Sequence, residues 1–185
     1  MVTKVYGDTG VDKIVDGTIT SSDLASGVGG KILQIVSTTK TDTFSTSTTG
    51  SYVDITGLSV SITPTSASSK ILVMWNVQFG HASTVSGVVL RIMRDATPIS
   101  IGDQVGTNRL RGTSPMFTLY SNTNNTTSVQ SGTYLDSPST TSSITYKAQG
   151  SITGSTYYIN RTGEYNDGNY ESTGTSTITV MEIAG

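Results

Sequence analysis

The chain contains no cysteine, so neither a disulfide nor a thiol nucleophile enters its chemistry, and packing or association must hold it together in any redox compartment. Charge is sparse and balanced. Charged residues make up 13% of the 185 positions, eleven basic against thirteen acidic, and the net charge is -2; no field is left to attract nucleic acid. The longest unbroken apolar run, Ile71 to Trp75, has five residues, and no apolar region follows Met1-Val2-Thr3-Lys4, so the sequence predicts neither membrane insertion nor a signal peptide. A single histidine, His81, cannot by itself build a metal site or a catalytic triad.

What fills the chain instead is hydroxyl: about 60 positions are Ser or Thr, with 20 glycines. Thr is β-branched and suits a pleated surface, while Ser and Gly supply turns, which predicts an all-β chain of one core. Strand patterns fall at 31–38, 42–47, 52–63, 70–79, 87–94, 99–103, 115–121, 128–135, 143–151, 156–161 and 175–183, with turns at Pro64-Thr65-Ser66 and Asp95-Ala96-Thr97-Pro98. About ten short strands at this spacing predict an antiparallel β-sandwich of jelly-roll type.

Two segments depart from the pattern of a simple sandwich. Residues 1–30 hold four of the ten aspartates and no aromatic beyond Tyr6, too little to form a core, and predict an extended arm ahead of a head domain at 31–185. Val11, Ile14, Val15, Ile19 and Leu24 are its candidate attachment residues. Within the head, several strands are apolar on both faces: Leu72 and Met74 alternate with Ile71, Val73 and Trp75, and Met181 and Ile183 with Ile178 and Val180. Apolar side chains on the second face of a sheet predict a subunit interface at Leu72, Met74, Met181 and Ile183, unless a loop covers that face.

Catalytic motifs are missing. The nearest carboxylate cluster, Glu164-Tyr165-Asn166-Asp167-Gly168-Asn169-Tyr170-Glu171, has no acid–base signature. Its Tyr165 and Tyr170 offer stacking faces, and Asn166, Asp167 and Asn169 offer hydrogen bonds, the chemistry of a glycan contact on an exposed loop. Asn124, Asn125 and Asn160 begin N-x-S/T sequons, which a chain so rich in Ser and Thr produces by chance.

The run Asp16-Gly17-Thr18-Ile19-Thr20, followed by Asp23-Leu24-Ala25 and Gly27, resembles segments that recur in the stalks and joints of tailed-bacteriophage fibres. The stretches Lys31-Ile32-Leu33-Gln34-Ile35-Val36, Tyr52-Val53-Asp54-Ile55-Thr56-Gly57-Leu58 and Ser68-Ser69-Lys70-Ile71-Leu72-Val73 are similar to β-rich virion domains of phages of aquatic bacteria, cyanophages among them. So are Leu135-Asp136-Ser137-Pro138, Ile144-Thr145-Tyr146-Lys147 and the ending from Thr177 to Ile183. The resemblance implies a homotrimeric, non-enzymatic head without cofactor, assembled in the host cytoplasm and mounted on a virion by residues 1–30. A short tail fibre or spike touching a host surface glycan, a capsid decoration protein that stabilises the phage head, and a glycan-degrading tailspike are the three functions in view. In a trimeric stalk Asp8, Asp12 and Asp16 would gather nine carboxylates near one axis, where a cation would be useful; as solvated residues they need none, and no metal is expected.

Overall fold

Alternation is the rule that builds the molecule. In a computed structural model, which describes residues 31–81, 87–114, 117–118, 126–164, 166–169 and 171–185, the strand Lys70–His81 (β4) points Ile71, Val73, Trp75, Val77 and Phe79 inward, all buried. The last strand, Ser176–Ile183 (β11), alternates in the same way, with Ile178 and Val180 fully buried. The other strands are Ile32–Lys40 (β1), Phe44–Thr46 (β2), Val53–Ile62 (β3), Gly87–Arg94 (β5), Thr97–Ile99 (β6), Phe117–Thr118 (β7), Thr127–Asp136 (β8), Ile144–Ile152 (β9) and Tyr157–Ile159 (β10). Among the described residues there is no helix, so none is long and apolar enough to cross a membrane.

The strands form two antiparallel sheets. In the front sheet β8 lies on one side of β4, while β11 and β10 share the other side at opposite ends of β4, and β1 and β2 lie beyond them. The back sheet runs β3-β9-β5-β6, with β7 also paired to β5. The chain thus alternates between a β1-β11-β4-β8 layer and a β3-β9-β5-β6 layer, the two-Greek-key path of a jelly roll. The core lies between them, with Tyr157 at one end packed tilted against Phe44 and edge-on to Phe79 at centroid distances of 6.2 Å and 5.7 Å. Gly150 is required beside that cluster, because a Cβ there would sit 2.6 Å from the Tyr157 hydroxyl.

Where strict alternation would fail, a bulge repairs it. Ile55 faces the core, and a two-residue period from it would turn Leu58, Val60 and Ile62 to solvent. The register of β3 on β9 instead shifts between Asp54 and Ser59, with Gly57 at φ +81°, and all four apolar side chains end up buried.

Two expected strands differ from those observed. The strand expected at 99–103 lies at Thr97–Ile99, because the turn needs only Asp95 and Ala96. Asp95 adopts φ +51° and fixes the turn against β9: its amide bonds the Thr145 carbonyl, and its carboxylate accepts from the Thr145 amide. Pro98 is tolerated there since β6 is an outer strand and needs no donor on its free side. Of the strand expected at 115–121, Phe117–Thr118 is the part found among the described residues.

Candidate functional site

The outer face of the front sheet carries the feature that sets this head apart. Antiparallel register aligns Ile35 with Met181, Met181 with Leu72, and Leu72 with Leu135, one apolar row across β1, β11, β4 and β8. Met74 and Ile183 flank it, on β4 and β11, and Ile32 pairs with Ile183. Leu72, Met74, Met181 and Ile183 are half-buried, while Ile35 is 57% and Leu135 47% exposed. The remaining outward positions are mostly Ser and Thr, and the one charge among them on β4 and β8, Lys70 at the margin, donates to Ser137.

The back sheet solves the same problem differently. Its strand β5 also buries both faces, but there a loop does the covering: Thr113 and Ser114 donate their amides to the Leu90 carbonyl, and Gly112 packs directly on Val89. The rest of that outer face is polar. The Arg91 guanidinium stacks 3.7 Å over the Tyr52 ring and donates to Gln149, which in turn bonds Asp54, itself paired with Lys147 at 2.7 Å. One outer face is therefore wet and charged, the other an apolar row among hydroxyls with one charge at its margin.

Inward-facing polar groups clamp the two layers. Asp136, on β8, accepts from Arg94 Nη1 at 2.9 Å and from the Tyr146 hydroxyl at 2.7 Å, joining the front sheet to β5 and β9 behind it. Burial and the bond to Asp136 push the Tyr146 phenol up, so it remains a donor. Glu182 is fully buried and forms no ion pair among the described residues. It accepts from Gln34 at 2.6 Å and from the amide and hydroxyl of Thr65 at 2.7 and 2.8 Å, tying the Pro64-Thr65-Ser66 turn to the end of β11. Burial alone would raise this carboxyl, but the donated bonds outweigh it and hold it at about 2.

A depressed native pKa adds stability that is present above the unfolded value, near 4.5, and lost as pH falls towards about 2. Glu182→Gln is accordingly expected to lower the urea midpoint at neutral pH and to differ little from wild type near pH 2. Urea titrations across that range check it; a difference independent of pH would show that shape, not charge, holds the turn.

The loop after β10 is anchored at its base and open at its tip. Asn160, at φ +62° and fully buried, donates to the carbonyls of Lys40 and Asp42 and accepts from Ser176. Its sequon is thus closed to glycosylation. Arg161 lies 3.8 Å over the Tyr158 ring and bridges to Thr173 across the loop. Beyond this base Asn166, Asp167 and Asn169 are exposed, and Asn166, Asp167, Gly168, Glu171, Ser172 and Thr173 line an open groove of about 400 Å³.

The sequence-based sites fare unevenly. Leu72, Met74, Met181 and Ile183 come together on one face; Ile35 and Leu135, which complete their row, are invisible in the sequence because only strand register brings them there. Asn166 and Asp167 line one groove and Asn169 is exposed on the same loop, while Tyr165 and Tyr170 lie outside the described residues. So do Val11, Ile14, Val15, Ile19 and Leu24, the row Asp8, Asp12 and Asp16, and the sequons at Asn124 and Asn125. Among the described residues no group of acidic or histidine side chains could hold a metal ion.

No protein-family model matches the sequence, and no curated protein matches it. Among solved structures, that of infectious bursal disease virus, Gx strain, is 13% identical, covering 82% of this chain and 42% of that one with a TM-score of 0.43. T=1 particles derived from infectious bursal virus give 13% identity over 82% and 40%, with a TM-score of 0.44. The Gt strain gives 10% over 82% and 40%, at 0.38. The chain spans about two fifths of the length of these structures, and likeness of this degree does not reach to function.

Proposed function

We propose that this chain is a non-enzymatic structural protein of a phage virion surface, a short tail fibre or spike whose head trimerises through the outer face of the front sheet. Residues 1–30 mount it on the particle, and the loop at 164–171 meets a host glycan. The observation that carries the reading is the neutral apolar row Ile35–Met181–Leu72–Leu135. A water-facing sheet has no use for such a row, whereas a subunit contact does. Its place behind a fibre-like segment, Asp16 to Gly27, supplies the virion. Three weak glycan sites on one rigid head would raise avidity without new contacts.

Deleting residues 1–30 is expected to leave the head folded and associated but missing from purified particles, read by immunoblot of virions assembled with the truncated chain. Normal incorporation would place the attachment in the head itself. Replacing Tyr165 and Tyr170 with Ala is expected to lower adsorption to host cells at unchanged melting temperature. Normal adsorption by particles lacking the protein, together with fragility on heating, would make it a capsid decoration protein instead; turnover of capsule or lipopolysaccharide would make it a tailspike enzyme.

A further inference from the structure

Sheet edges are templates for further strands, and folded proteins blunt them with short strands, proline, bulges or charge. Among the described residues nearly every edge here is blunted. Strands β2 and β6 have three residues each and β7 two; Pro98 lies in β6. β3 is broken by the bulge at Gly57, and β1 shifts register between Ile32 and Gln34.

β8 is the longest unbroken edge. It has ten residues, pairs with β4 in unbroken register from Thr127 to Asp136, and contains no proline and no charge before Asp136. That carboxylate is turned inward onto Arg94 and Tyr146 and does not guard the edge. No other described strand pairs with β8, and no described backbone hydrogen bond outside the ladders reaches it.

We propose that β8 is a strand-addition edge whose occupant is β8 of a second copy, paired antiparallel about a local twofold axis at Ser131 so that one sheet runs through two heads. The strand suits itself. Its exposed residues Thr127, Val129, Ser131, Thr133 and Leu135 are symmetric about Ser131, so Val129 meets Thr133 and Leu135 meets Thr127, β-branched and apolar cross-strand pairs. Being neutral, the edge meets its copy without repulsion, and antiparallel pairing carries the two Asp136 residues to opposite ends. The backbone groups that make this contact point out of the strand within the plane of the sheet, whereas the apolar row projects perpendicular to it. Pairing at β8 is therefore a different contact from the proposed trimer and does not depend on the virion reading.

The test is amide hydrogen exchange on the full chain, with two charge variants, Val129→Lys/Thr133→Lys and Val129→Glu/Thr133→Glu. Both positions are exposed, and the proposed pairing sets each variant's like charges opposite one another. In wild type, and in Leu72→Lys, which disables the apolar row, the outward amides of β8 are expected to gain at least about tenfold protection as concentration rises. Each charge variant alone should lose that gain, and an equimolar mixture of the two should restore it, which also shows that both are folded. Outward β8 amides that exchange freely in wild type at the highest concentration would overturn the proposal. So would a Lys variant protected like wild type. Protection lost in Leu72→Lys but kept in wild type would assign the effect to the apolar row and overturn it as well.

Discussion

Asp136→Ala is expected to destabilise the head by about 3–5 kcal/mol, a large share of the whole stability of a domain this size. Asp136 is 4% exposed and, among the described residues, is the only acceptor for both Arg94 Nη1 and the buried Tyr146 hydroxyl. Truncation strips both donors at once, and the cost is that of a guanidinium and a phenol left without a partner rather than the net worth of the bonds. Arg94 keeps about a quarter of its side chain in solvent, which places the effect towards the lower end. Asp136→Asn should lose less, because the amide oxygen still accepts from Tyr146. Tyr146→Phe should cost about 1 kcal/mol, the usual value of one hydrogen bond. Urea unfolding of the three variants checks the order, and an Ala variant within 1 kcal/mol of wild type would show that the layers hold together without this clamp.

How much of this was legible beforehand follows from what a sequence pattern encodes. Alternation marks a strand and its two faces, so β4, β5 and β11 and the second apolar face at Leu72 and Met74 are readable in the text. Register is not written there. Ile35 is an ordinary residue of β1 until pairing places it beside Met181, and Leu135 until β8 lies against β4. The same blindness hides the clamps: Asp136, Glu182 and Asn160 look like surface residues, and only their partners 10 to 148 positions away explain their burial. Short-range geometry misled at Thr97-Pro98, since a proline within a turn and a proline on a free edge leave the same trace. The bulge at Gly57 could be suspected from the apolar phase, because Ile55 and Leu58 fall on opposite parities yet both are core.

Leu72→Lys is expected to break a trimer of about 58 kDa, three times 19.4 kDa, into species no larger than a β8-paired dimer, with the β-sheet signature in circular dichroism unchanged. Leu72 occupies the middle of the apolar row, paired with Met181 on one side and Leu135 on the other. In an isolated head its side chain is half-buried on an outer surface. A lysine there can lay its methylene stem over the neighbouring Met181 and keep the ammonium in water, at little cost to the fold. In the trimer the same ammonium would be enclosed among apolar side chains with no carboxylate on that face to meet it, and an unpaired buried charge costs several kcal/mol for each copy. Ser59→Lys is the control. Ser59 is exposed on the opposite, back sheet, already populated by Arg91, Lys147 and Asp54, and a further charge there should leave the mass unaltered. Light scattering at about 100 µM separates the outcomes: wild type at 19 kDa, or Leu72→Lys unchanged from a trimeric wild type, would mean that the row Ile35–Met181–Leu72–Leu135 is not where copies of this chain meet.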